Sequence, residues 1–171
     1  MRSIYGIALM GLLILGPGCS SEFRAQATGN ALNVGAIPED PAVDDTTIQP
    51  CNPLQIAEYY QVGLQYGEGR KSVREKLMPL LHELPVRTGQ DGYFTVRFLV
   101  NCAGKPARYR GYGVTPQYET HAFPEALQEQ LINACKTLVN WSPGTYEGKA
   151  WDAYFFVTFK LKDGQVIDLL P

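Results

Sequence analysis

From Tyr93 to Cys102 the side chains alternate without a break, with Phe94, Val96, Phe98, Val100 and Cys102 in one phase and Thr95, Arg97, Leu99 and Asn101 in the other. A period of two over that length specifies a β-strand with one buried face and excludes an amphipathic helix. Such a strand needs antiparallel neighbours and a second layer over its apolar side. Ala103-Gly104-Lys105 supplies a turn, so Ala107 to Val114 is expected to return beside it. A second alternating run, Ala153 to Leu161, points Phe155, Val157, Phe159 and Leu161 inward. The turn residues Lys162-Asp163-Gly164-Gln165 then predict a hairpin into a short final strand, Val166 to Leu170.

Three segments have helical spacing instead. Asn52-Pro53 has the form of an N-cap followed by proline at the first helical position, and Leu54, Ile56, Ala57, Tyr60 and Leu64 form an apolar face ending near Gly67 or Gly69. Ser72 to Leu84 carries a stripe through Val73, Leu77, Leu80, Leu81 and Leu84, with Pro79 as a kink or restart, Leu84-Pro85 as its end and a loop over Thr88 to Gly92. After a connection over Thr115 to Ala122, Pro124 at the first helical position opens a third helix, lined by Phe123, Leu127, Leu131, Cys135 and Leu138 and stopped by Trp141-Ser142-Pro143-Gly144. The expected fold class is α+β: a small antiparallel sheet of three to four strands with one helix packed on a face, preceded by two short helices.

The chain's start has a different character. Arg2, the apolar run Ile4 to Leu15 and the small residues Gly16-Pro17-Gly18 before Cys19 have the layout of a lipoprotein signal peptide over residues 1–18. The apolar run is too short to span a bilayer, which takes about 20 residues. Leu15-Gly16-Pro17-Gly18-Cys19 resembles a lipobox, with Leu one position early, and implies cleavage before Cys19 and lipidation there. Multiple acyl chains give stable anchoring where one does not. Residues 19–50 then read as acylated cysteine and disordered tether, with Glu22, Glu39, Asp40, Asp44 and Asp45 against the single base Arg24, and 51–171 as one domain.

From Cys51 onward 13 lysines and arginines face 12 acids, a balance that offers nucleic acid no electrostatic footprint. Arg108, Tyr109, Arg110 and Tyr112 read as the alternating faces of a strand. Cys51, Cys102 and Cys135 allow one intrachain disulfide in an oxidising compartment. The phase of Cys102 and the helix stripe of Cys135 favour pairing these two, with Cys51 as the rival partner. No two cysteines stand at C-x-x-C spacing, and His82 and His121 are isolated, so neither zinc nor another cofactor is expected. Nor does any nucleophile stand in a motif with a base, and the chain is expected not to be an enzyme. Trp141, Tyr146, Trp151 and Tyr154 form a possible partner surface, or alternatively the edge of the core.

Gly92-Tyr93-Phe94-Thr95-Val96-Arg97-Phe98-Leu99-Val100-Asn101, then Gly104, the third helix, Trp141-Ser142-Pro143-Gly144, Gly148-Lys149 and Val157-Thr158-Phe159 through Gly164 together resemble the C-terminal domain of TonB, over residues 90–171. The ending Asp152-Ala153-Tyr154-Phe155-Phe156 through Phe159-Lys160-Leu161-Lys162-Asp163-Gly164 is similar to small lipoproteins of the Bacteroidetes type. The resemblance implies pairing of an early cysteine, here Cys51, with Cys102. It also implies recognition by strand addition at the edge equivalent to Ala153 to Leu161. The expected role is a lipid-anchored binding or scaffolding module, exported and held at a membrane, the outer membrane by preference, facing the periplasm or the cell exterior. Its partner would be an envelope protein or peptide. The alternative is accessory TonB-like energy transduction in receptor-mediated transport.

Overall fold

The computed structural model describes residues 35–82 and 89–170, so Cys19, the leader, Ser20 to Val34, Leu84-Pro85 and Thr88 lie outside the described residues. The chain is α+β. In order it forms β1 (Ile56–Glu58), α1 (Tyr59–Val62), α2 (Arg70–His82), β2 (Gly92–Val100), β3 (Pro106–Val114), β4 (Thr120–His121), α3 (Glu125–Lys136), β5 (Gly144–Tyr146), β6 (Lys149–Lys162) and β7 (Gln165–Leu170). The seven strands make one sheet, with the path β1-β6-β2-β3-β4 and with β5 and β7 also paired to β6. None of the described helices is long and apolar enough to cross a membrane.

The central strands follow their alternation. Phe94, Val96, Phe98 and Val100 on β2 and Ala153, Phe155, Val157, Phe159 and Leu161 on β6 are buried in one core. α2 contributes Val73, Leu77 and Leu81, and α3 contributes Leu127, Leu131 and Cys135. Pro79 sits inside α2 without ending it, and Leu80 is 40% exposed because the buried stripe follows Val73, Leu77 and Leu81. Pro124 caps α3 from outside rather than opening it, its carbonyl accepting from Leu127 and Gln128. Trp141 closes the core after α3, its indole N–H donating to the Leu138 carbonyl at 2.7 Å. Gly104, at φ +71°, lies so close to Trp141 that a Cβ would stand 2.4 Å from its carbonyl oxygen. The hairpin turn between β2 and β3 therefore depends on glycine there.

The expected long first helix is not formed. Asn52 to Gln55 make a turn, Ile56–Glu58 add to β6 as a parallel strand, and only Tyr59–Val62 are helical, ended by Gly63 at φ +66°. Leu54 and Tyr60, which the helical reading placed on the buried face, are 63% and 67% exposed. The sheet accordingly has more strands than the three to four expected, because β1, β4 and β5 are two- or three-residue pieces too short to show a period.

Residues 35–50, read from the sequence as part of the tether, lie against the sheet face opposite the helices. Ile37 is 6% exposed and packs with Leu99, Tyr154 and Ile56. Its N–H donates to the Tyr154 hydroxyl at 3.0 Å. The disulfide joins Cys51 to Cys102, with Cα atoms 6.0 Å apart, and Cys135 is a buried free thiol. This corrects the pairing favoured by strand phase. β2 ends at Val100, and Asn101 turns the chain, so the inward phase does not extend to Cys102.

Candidate functional site

β3 occupies the side of the sheet remote from β6. On its outer flank β4 pairs only with Gly113 and Val114, and among the described residues no strand pairs with Pro106 to Tyr112 there. A groove of about 890 Å³ runs along this stretch. One wall is α3 and the turn after it, presenting Ile132 and Val139; the other is the 35–50 segment, presenting Val43 and Ile48. Val43 is 68% and Val139 51% exposed. An unpaired main-chain edge between two apolar walls is the arrangement that accepts an extended peptide as an extra strand.

A β-bulge shapes the floor. Arg97 pairs with Arg110 and Leu99 with Ala107, so Phe98 faces two β3 residues, and Arg108 takes φ 56°. The bulge keeps Tyr109 on the core side, stacked on Phe98 at 4.9 Å, and turns Arg108 to the opposite face. Burial pushes the Tyr109 phenol well above its ordinary pKa and does the same to the Cys135 thiol. At Gly111 the strand has no side chain, and a Cβ there would stand 2.4 Å from the Phe94 ring and 3.4 Å from Ile132. The glycine lets α3 approach the strand closely.

Arginines hold the second wall. Arg110 gives Asp44 two hydrogen bonds of 2.7 Å and donates to the Pro38 carbonyl at 2.9 Å. Arg108, itself buried, donates to Glu39 at 2.8 Å and Gln49 at 2.9 Å. Arg97 pairs with Glu58 and lies 4.2 Å from the Tyr154 ring centre. The Asn101 amide reaches the Gln49 carbonyl at 3.0 Å. The Arg110 hydrogen bonds hold the Asp44 carboxyl below the ordinary carboxylate range, and the same contact raises Arg110. A depressed carboxylate stabilises the docked segment above the unfolded pKa, and that contribution is lost as pH falls through the folded value. The protection factors of the Asp40 to Ile48 amides, which divide out the intrinsic pH dependence of exchange, are therefore expected to be high at neutral pH and to fall below about pH 3.8, the ordinary Asp value. Asp44→Asn should lower protection at neutral pH and shrink its further loss on acidification. Unchanged protection down to about pH 2 in the parent protein, well below the ordinary carboxylate range, would contradict this anchoring.

The four aromatic residues expected as a partner surface do not share one. Trp141 is buried in the main core, and Tyr154 is 2% exposed on the other face of the sheet. Trp151 is half-buried, and Tyr146, 52% exposed, packs edge-on to it with centroids 5.4 Å apart. Alternation separates Trp151 and Tyr154 because they are three residues apart on one strand. Among the described residues Cys51, Cys102 and Asp152 bring ligand-type atoms together, but the two sulfurs are bonded to each other. The groove residues escaped sequence reading because its two walls and its floor come from three distant segments. The signal was the acidic run Glu39 to Asp45 facing the basic pair Arg108 and Arg110. No protein-family model, curated protein or solved structure matches the chain.

Proposed function

We propose that the chain is a lipid-anchored, non-enzymatic binding module of the cell envelope, exported and attached at Cys19, which recognises an envelope protein or peptide. The observation that carries this reading is the groove beside β3, an unpaired strand edge with an apolar wall on each side. The lipobox-like stretch before Cys19 and the resemblance to TonB C-terminal-like lipoproteins support the compartment. Accessory energy transduction, the alternative, needs the outer edge of β6. Along that edge β1 pairs with Asp152 to Tyr154 and β7 with Thr158 to Lys162.

Protein extracted from membranes should show an acylated Cys19 as its N-terminal residue by intact mass, and Cys19→Ala should move the domain to a soluble fraction. An unlipidated N-terminus elsewhere would exclude the anchor. In intact cells, a photo-crosslinking residue at Val139 should give a discrete adduct with an envelope protein, and one at Tyr60, 67% exposed outside the groove, should not. Equal labelling from both positions would remove the support for a specific binding module.

A further inference from the structure

The groove beside β3 has an electrical direction. Lys105 precedes Pro106 at one end, and Lys136 lies on the Pro106 side of Ile132, its Nζ 5.9 Å from the Tyr109 ring centre. Glu129 lies about two turns earlier on α3, at the end where Ile132 meets Gly111. Asp45 adjoins the Asp44 that Arg110 holds, at that same end. All four side chains belong to exposed residues, and among the described residues none of them is in an ion pair. The Asp45 carboxylate accepts locally, from the Thr47 N–H and hydroxyl. The charges inside the second wall, by contrast, are already matched, Arg108 with Glu39 and Arg110 with Asp44.

We propose that the β3 edge takes up an extended peptide segment of another protein as an added antiparallel strand, apolar through its middle, basic at its N-terminal end and acidic at its C-terminal end. This deepens the binding-module reading and rests on it. The direction follows from two facts. Antiparallel pairing is the more stable geometry per residue. A strand antiparallel to β3 runs from Gly111, on the side of Asp45 and Glu129, past Lys136 at Tyr109 and toward Lys105 beside Pro106. The apolar middle follows from the walls: alternate side chains of an added strand point to opposite faces, one set toward Ile132 and Val139 and the other toward Val43 and Ile48. Both sets meet apolar surface. The Tyr109 carbonyl already accepts from Arg110 at 2.8 Å and keeps a second lone pair for the ladder.

The test uses the full chain and a fluorescent peptide of about seven residues, the length of the Pro106 to Tyr112 edge, with lysine first, valine, leucine and alanine between, and glutamate last. Saturable binding is expected, with amide-exchange protection rising in Pro106 to Tyr112. N-methylation of alternate peptide amides should weaken it about tenfold by removing ladder hydrogen bonds. Exchanging the terminal lysine and glutamate should weaken it about threefold at low salt, an effect that salt screens. A variant with Lys105→Glu, Lys136→Glu, Asp45→Lys and Glu129→Lys should reverse that preference. These positions are exposed, and circular dichroism checks that the variant folds. Absence of binding, indifference to N-methylation, or a preference that does not reverse would overturn the proposal. So would protection of the same edge by self-association without peptide. Protection confined to another surface would overturn the β3 assignment and leave the binding-module reading intact, since crosslinking in cells tests that separately.

Discussion

Asp152→Ala is expected to lower the unfolding free energy by about 3–5 kcal/mol, because it removes the buried carboxylate that two main-chain donors share. Asp152 sits on β6 and is 2% exposed. One carboxylate oxygen accepts from the Asn52 N–H at 2.7 Å and the other from the Cys102 N–H at 2.7 Å. It thereby ties together the chain leading into β1, the hairpin turn after β2 and the strand both must reach. Charge-assisted bonds of this kind contribute roughly 1.5–3 kcal/mol each. Asp152→Asn keeps one acceptor but turns an amide N–H₂ toward the other donor, so about half the loss should remain. Urea unfolding followed by far-ultraviolet circular dichroism measures both. A loss below about 1 kcal/mol for the alanine variant would show that water replaces the carboxylate and that the pin is not structural.

What the sequence made legible was what has a period. β2 and β6 and the helices α2 and α3 lie where their apolar spacing placed them, since each buries one face, and β3 and β7 lie where the turns before them placed them. β1 was misread because Leu54, Ile56, Ala57 and Tyr60 have helical spacing, while the energy that decides the matter comes from pairing Ile56 with Asp152, far along the chain. Local propensity is a weak prior against such a contact. The packing of residues 35–50 was hidden for a related reason. Their composition is that of a solvated linker, yet each of Glu39 and Asp44 meets an arginine that a bulge or strand phase directs to the same face. Complementary charge could be counted in the sequence, but the bulge at Arg108 could not. The candidate groove inherits both obscurities, since one wall is the misread segment and its floor is the bulged strand.

Reduction of Cys51–Cys102 is expected to cost about 4 kcal/mol, the chain-entropy value for a loop of this size, the sequence separation being 51 residues. The bridge closes the chain over β1, both early helices and β2, so the unfolded ensemble it restricts includes the least locally determined part of the fold. Cys51→Ser with Cys102→Ser should reproduce the effect of reductant. Cys135→Ser should not: it breaks no bridge, and its cost is that of placing a hydroxyl at a site buried on the core side of α3, roughly 1–3 kcal/mol, independent of reductant. Asp152 makes the bridge and the carboxylate interdependent, because its two hydrogen bonds hold Asn52 and Cys102, the residue after one half-cystine and the other half-cystine itself. With the bridge gone, the carboxylate must hold those segments alone. With the carboxylate gone, the bridge still limits how far they separate. Removing both should therefore cost more than the sum of the single changes, by about 1 kcal/mol, the scale of coupling between groups in contact. Urea unfolding of the four combinations, with and without reductant, gives the coupling directly. Strict additivity would show that disulfide and carboxylate stabilise separate parts of the domain, and a Cys102–Cys135 peptide in a non-reducing digest would remove the basis of the cycle altogether.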